Sequence, residues 1–382
     1  MPENWETKTL GEIANIRGET VHPRDAIGLK YVGLEHISSG AVLIDCWGDP
    51  TKVKSTKNRF YPNDILYGKL RPYLDKVVLT KDGGIASTDI LVITSNKADP
   101  SFLVHLLHTN RFLNYAKSTM SGVNHPRTSW SALSKFQFEC PPLQEQCAIA
   151  QAGGAVQEAK AARQREIELE RERKAALLQH IFSHGTRNES KQKSAVGDIP
   201  QSWKVAKLED IATLHRGKDL PVQNRVAGSI PVIGSNGVTD WHNESPKDVP
   251  IPGVCTGRSG SIGLLTYVDR PYWPLNTALY VSDFHGNDSL FIYYWLQLFN
   301  FKKYSQGVSV PTLNRNLVHP VPVPLPPVSQ QTEIANLLKA CDEKITALER
   351  ETRLIDELFK TVLELLMTNR LSSKPLIAVG AI

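Results

Sequence analysis

The side chains best placed to do chemistry in this chain are cations, amides and hydroxyls. Between residues 45 and 81, Lys52, Lys54, Lys57, Arg59, Lys69, Arg71, Lys76 and Lys81 stand against four acids and interleave with Tyr61, Tyr67 and Tyr73. Such cations neutralise phosphates, whereas Arg, Asn, Gln, Ser and Thr on loops can make the base-edge hydrogen bonds that carry sequence information. Two polar stretches in corresponding places have that character. Residues 121–129 contain Asn124, His125, Arg127 and Thr128, and residues 306–316 contain Ser309, Thr312, Asn314 and Arg315. The segment Gly257-Arg258-Ser259-Gly260-Ser261-Ile262-Gly263 lacks the G-x-G opening and the following helical pattern of a dinucleotide cradle, so it reads as a tight turn presenting Arg258, Ser259 and Ser261.

Catalytic patterns are not found. There is no G-x-x-x-x-G-K-[ST] loop, no G-x-S-x-G elbow and no H-E-x-x-H helix. His105 with His108, and His180 with His184, have helical spacing but no accompanying carboxylate or cysteine in a ligand pattern, so no metal is expected. No paired carboxylates suggest acid–base work or metal-assisted strand cleavage. Cys46, Cys140, Cys147, Cys255 and Cys341 form no C-x-x-C pair and read as free thiols. The 382 residues are 41% hydrophobic and 22% charged with a formal net charge of +5, values of a soluble globular chain with two or three domains. No membrane span or signal-like start is found, so the expected location is the cytoplasm. A charge of +5 is too small to announce nucleic acid by itself.

The elements that must position these groups come in two copies. Pro2-Glu3-Asn4-Trp5, followed by Leu10, Glu12, Ile13, Ala14 and Ile16, returns 198 residues later as Pro200-Gln201-Ser202-Trp203, then Leu208, Asp210, Ile211, Ala212 and Leu214. Gly122-Val123, Pro126, Pro141-Pro142-Leu143, Gln146, Ile149 and Ala150 return 185 residues later as Gly307-Val308, Pro311, Pro326-Pro327-Val328, Gln331, Ile334 and Ala335. Each copy opens with short apolar runs typical of strands (64–67, 76–79, 90–93 and 318–325), with helical spacing in 101–116 and 290–301. Each then ends in about 40 residues without proline and rich in helix formers, enough for a helix about 60 Å long.

In the second helix, Ile334, Leu338, Cys341, Ile345, Leu348, Thr352, Ile355, Phe359, Val362 and Leu366 alternate four and three apart, a coiled-coil seam. In the first, Ala148, Ala152, Ala155, Ala159 and Ala162, then Leu169 and Ala176, suggest a complementary small-residue stripe. The chain must leave the first globular part on one helix and return from the second on the other, so the pair is expected to be antiparallel. The predicted class is α+β: two tandem globular domains separated by two long helices, pseudo-twofold symmetric. Leu337, Leu358 and Leu365 fall outside the seam and point to a further partner.

The paired openings Pro-x-x-Trp-x-x-x-x-Leu-x-Glu/Asp-Ile-Ala, the paired Pro-Pro-Leu/Val helix starts, Asp64-Ile65-Leu66-Tyr67-Gly68-Lys69-Leu70-Arg71-Pro72-Tyr73 and the Gly257–Gly263 turn together resemble the specificity subunits of type I restriction-modification systems. The resemblance covers essentially the whole chain. It implies target recognition domains at 1–143 and 200–328, spacer helices at 144–186 and 329–371, a linker at 187–199 and a tail at 372–382. It further implies a non-catalytic subunit that reads a split, asymmetric double-stranded DNA site, one half per domain. Two modification subunits, which bind S-adenosylmethionine and methylate adenine, and restriction subunits using ATP and Mg would be its partners, with no cofactor in this chain. Lys57, Arg59, Lys69, Arg71 and Tyr73, with the loop residues named above, are the expected DNA-contacting groups. A stand-alone bipartite DNA-binding regulator is the alternative, and would require a stronger basic surface and no exposed apolar helix faces.

Overall fold

The structure is a computed structural model that describes every residue except 1–4, 27, 45, 96, 188, 308–310, 369 and 381–382. The chain divides into two compact units. One runs from the amino terminus to Glu166 and takes in the segment from Leu348 onward; the other is Ile167–Ala347.

Unit 1 is organised around an antiparallel sheet of β1 (Ala14–Ile16), β2 (Ile65–Gly68), β3 (Val77–Leu79) and β4 (Ile90–Ser95), in the order β1-β4-β2-β3. β2 is buried on both faces, which is why Ile65-Leu66-Tyr67 is a continuous apolar run rather than an alternating one. A second sheet pairs Thr20–Val21, Lys57–Phe60, Gly84–Ala86 and Lys30–Val32. The predicted helix at 101–116 is two helices, α1 (Pro100–Leu107) and Asn110–Ser118. The break falls at Thr109, whose hydroxyl accepts from the Phe112 amide and so starts a new helix. The long helix α2 is Leu143–His184.

Unit 2 repeats this plan. β5 (Thr213–Arg216), β6 (Gly253–Gly257), β7 (Leu265–Val268) and β8 (Ala278–Asp283) form an antiparallel sheet in the same order, β5-β8-β6-β7. α3 (Ser289–Leu298) takes the place of α1, and α4 (Val328–Met367) that of α2. The expected strand at 318–325 is a short helix, Arg315–Val318, followed by a strand only at Pro322–Leu325. The linker at 187–199 holds a hairpin pairing Lys191–Ser194 with Gly197–Pro200, and the tail carries a helix at Lys374–Gly380.

The repeated sequence motifs are the joints of this plan. Asp99 and Asp288 cap α1 and α3, accepting from the Phe102 and Phe291 amides at 2.8 and 2.9 Å. Each cap's own amide donates to a buried glutamine of the long helix, Asp99 to Gln146 and Asp288 to Gln331, both at 2.9 Å. Those glutamines return their amide protons to the Pro141 and Pro326 carbonyls at 2.8 and 3.0 Å, so the Pro-Pro turn, the helix start and the cap lock together. The repeated tryptophans close the same corner. Trp5 Nε1 donates to Glu145, to which Ser373 of the tail also donates, and Trp203 Nε1 donates to Gln330.

Within each unit the two long helices run antiparallel. In unit 1 Lys160 pairs with Asp356 and Arg163 with Glu351; in unit 2 Glu170 pairs with Lys344 and Lys174 with Asp342. These pairs correct the alanine stripe. Ala148 is buried and Ala152 half-buried, but Ala155, Ala159, Ala162, Leu169 and Ala176 are exposed, and beyond the first turns the covered face of α2 lies one residue over, at Gly153, Val156, Lys160, Arg163, Ile167, Glu170, Lys174, Leu178 and Ile181. The reason is volume. Ile167 and Ile181 bury far more apolar surface than alanine, and the long stems of Lys and Arg cover neighbours while their charges find partners. On α4, Ile334, Leu338, Cys341, Ile345 and Leu348 are buried as the heptad requires, as is Leu366; Ile355, Phe359 and Val362 are half-buried.

Candidate nucleic-acid interface

In both units the candidate residues converge at the carboxyl end of the strand second from the sheet edge. After β2 the Lys69 amide donates to Asp89 O at 2.9 Å, and Lys69 O accepts from the Thr128 amide at 3.0 Å. After β6 the Arg258 amide donates to Thr277 O at 2.9 Å, and Arg258 O accepts from the Leu313 amide at 2.7 Å. Bridges Leu70↔Arg127 and Ser259↔Thr312 extend the two dockings in the same sense. Stretches that the sequence left far apart, 69–73 with 121–128 and 258–261 with 312–315, are therefore brought side by side.

What is docked is a hairpin in each unit. In unit 1, Ser121 and Arg127 exchange both backbone hydrogen bonds at 2.9 Å, leaving residues 122–126 as the tip. In unit 2, Gln306 pairs with Thr312 around the corresponding tip. Gly122 (φ 94°) and Gly307 (φ 98°) start the two tips in left-handed backbone that suits glycine, which explains the repeated Gly-Val. Asn124 and His125 are exposed at the unit 1 tip, beside Val123, which is 97% exposed. Ser309 lies outside the described residues.

The remaining candidates divide. Arg71 and Tyr73 are exposed, and the Arg71 amide donates to Pro126 O at 2.8 Å, which fixes the 71–73 turn against the hairpin. Arg127 sits at the hairpin stem and is held by Asp89, Nε to Oδ1 at 2.9 Å and Nη2 to Oδ2 at 3.3 Å. Ser261 is exposed, while Arg258, Ser259, Thr312 and Arg315 are half-exposed. Asn314 caps the short helix that follows it, accepting from the Asn316 amide.

Three expectations need correction. Lys57 is buried, its ammonium donating to the carbonyl and hydroxyl of Ser55 at 2.7 Å, and burial lowers its pKa; it is a structural cation. Thr128 is also buried, its hydroxyl sharing a 2.7 Å hydrogen bond with that of Thr119. Arg59 lies over the Tyr61 ring at 5.0 Å, as Arg17 does at 4.8 Å, with one guanidinium nitrogen buried, so it packs rather than presents its charge.

Unit 2 adds residues that sequence reasoning missed. A pocket of about 400 Å³ is lined by Arg216, Arg258, Arg315, Gln306, Asn314 and Asn316 together with Leu279, Thr312 and Leu313, and no carboxylate lines it. Arg315 Nη1 donates to Leu214 O at 3.1 Å and Arg258 Nη1 to Asn276 O at 3.4 Å, which orients both cations without cancelling their charge. Arg216, two residues before Lys218, gives no signal in the sequence beyond being a cation at a strand end; only the sheet carries it here. Among the described residues no cluster of three or more His, Cys, Asp or Glu could hold a metal, and no helix is long and apolar enough to cross a membrane.

A duplicated α+β scaffold, each copy carrying a hairpin docked on a strand end, is the class of protein that the fold and the candidate site define. The family model for the type I restriction modification DNA specificity domain matches residues 2–171 and again 200–358. The chain belongs to this family: it is a type I restriction-modification specificity subunit, a protein of DNA sequence recognition, and specificity subunits are non-catalytic. It is 24% identical over 411 residues to the type I restriction enzyme MjaVIII specificity subunit of Methanocaldococcus jannaschii, covering 98% of this chain and 95% of that one. It is also 31% identical over 148 residues to the EcoDI specificity subunit of Escherichia coli, covering 38% of this chain and 33% of that one. In fold it is similar to the type I restriction-modification S subunit from M. genitalium, with a TM-score of 0.61, 17% identity and coverage of 95% and 96%. A second solved structure, of a type I restriction-modification system, matches with a TM-score of 0.63, 19% identity and coverage of 97% and 99%.

Proposed function

We propose that each unit reads one half of a split, asymmetric DNA site, with the long helices fixing the gap, and that the subunit docks two modification subunits. The carrying observation is the hairpin docked on a strand end, built the same way in both units but with different side chains. An identical scaffold with Arg127 and Asp89 in one copy and Thr312 and Thr277 in the other suits two half-sites of different sequence. The modification subunits would supply S-adenosylmethionine and adenine methylation, and restriction subunits ATP- and Mg-dependent cleavage, in the cytoplasm. Leu337, Leu354 and Leu358 of α4, exposed by 45%, 52% and 65%, supply apolar surface that a docked subunit would cover. They weigh against a stand-alone regulator.

The test is a domain exchange. Replacing residues 1–143 with the equivalent domain of another family member, in complex with a modification subunit, changes one half of the methylated motif. A change in both halves overturns the model. Removing one heptad from each long helix shortens the gap by about 10 Å, roughly three base pairs; an unchanged gap would exclude the helices as its measure.

A further inference from the structure

We propose that Arg127 reads a guanine in the half-site of unit 1, and that Asp89 is its positioning residue. The inference rests on the reading of unit 1 as a half-site reader and adds a base and a mechanism to it. Arg127 has five N–H donors. Nε and Nη2 each give one to the Asp89 carboxylate, at 2.9 and 3.3 Å, and Nη1 gives one to His125 O at 3.4 Å. Pairing through Nε and Nη2 occupies the side edge of the guanidinium and leaves its Nη1–Nη2 end, the other pair of parallel N–H groups, as the fork open to a base. That fork matches the O6 and N7 acceptors of guanine in the major groove.

Charge separates a base from a phosphate as the target. Asp89 cancels most of the attraction that Arg127 would exert on a phosphate, but leaves the geometry of the fork intact. Arg127 is still 43% exposed, at the stem of a hairpin whose tip presents Asn124 and His125. In unit 2 the same two positions are Thr312 and Thr277, as the matching bridges and amide bonds show, so a carboxylate-held fork is built into this hairpin stem in one copy and not in the other. Arg258 and Arg315 of unit 2 are instead held by carbonyls and keep their charge.

The experiment selects duplexes from a randomised library with the full chain in complex with its modification subunits, for wild type, Arg127→Lys, Asp89→Asn and Asp89→Glu. Arg127→Lys keeps the charge and loses the fork. It is expected to relax one guanine of the first half-site by about tenfold or more, with the second half unchanged. Asp89→Asn relaxes the same guanine and strengthens binding to unrelated duplex, because an uncancelled cation has appeared. Asp89→Glu keeps the guanine preference. A structural ion pair would give another pattern: Asp89→Asn would lower the melting temperature while the motif stayed intact, and the proposal would be overturned. It is equally overturned if Arg127→Lys weakens all sequences alike, as a phosphate contact would. If exchanging residues 1–143 alters neither half of the motif, unit 1 is not a reader at all, and the guanine assignment falls with that broader reading.

Discussion

Where the short helix meets the long one, unit 1 places His105 and unit 2 places Tyr294, each six residues after its capping aspartate. His105 is buried beside Phe359, ring to ring at 5.7 Å, and the backbone of α2 comes so close at Gly153 that a Cβ there would lie 2.3 Å from His105 Nε2. Its Nδ1 has no hydrogen-bond partner, and burial pushes its pKa down to about 4. Tyr294 instead donates to Asp342 at 2.8 Å beneath the Lys174 ammonium, and Leu338 fills the position of Gly153. One joint is neutral and close-packed, the other ionic. Such divergence inside a shared frame indicates that the duplication constrains the backbone joints, the glutamine locks and the caps, while leaving the side chains between them free to change.

The largest expected effect on this contrast comes from ending the chain at Ala347. That removes Leu363, Leu366 and Met367 from the core of unit 1, where they are 3–4% exposed, and takes nothing from unit 2. Each such loss costs about 2–5 kcal/mol, so limited proteolysis should find unit 1 degraded and unit 2 protected. Comparable resistance of both would break the division into units.

Acid gives the next largest. Unfolded His105 binds a proton near pH 6.5 and folded His105 only near 4, so between those values the unfolded chain holds more protons and acid favours unfolding. The stability is intact above pH 6.5 and falls by about 3 kcal/mol as pH drops to 4. The protection factors of α1 amides, which divide out the slower intrinsic exchange in acid, should therefore fall in that window while those of α3 change less, and His105→Phe should remove the difference. An equal fall in both helices would count against the assignment.

A smaller effect separates the two sites electrostatically. Arg258→Gln combined with Arg315→Gln should reduce the log–log salt slope of DNA binding by about 1.8, whereas Arg127→Gln, already cancelled by Asp89, should change it by much less. Fluorescence anisotropy across a salt series reads both. Smallest of all, Ala159→Glu on the exposed side of α2 should shift thermal stability by no more than about 0.5 kcal/mol. A large loss there would restore the alanine stripe as the buried face.

The sequence reveals what repeats and what is long. The duplication, both spacer helices, the α4 seam and the strands around Ile65 and Ile90 follow from periodicity and composition. The inner face of α2 does not, because it depends on ion pairs such as Lys160 with Asp356, and one helix's sequence does not reveal its partner's register. Lys57 reads as a solvated cation because nothing local marks its bonds to Ser55. Asp89 lies 38 residues from Arg127, and Arg216 lies 42 from Arg258, so only sheet topology assembles those parts of the sites.

Unit 1 is discontinuous in the chain, and this gives synthesis an order of its own. At about 5–20 residues per second, roughly 10 to 40 s separate the addition of Glu166 from that of Leu348. Of the two units, the one whose synthesis starts first is thus the last to be finished. Until the final turns of α4 arrive, the apolar seat for Leu363, Leu366 and Met367 lacks its cover. Unit 2, continuous in sequence, can close while that seat is still waiting.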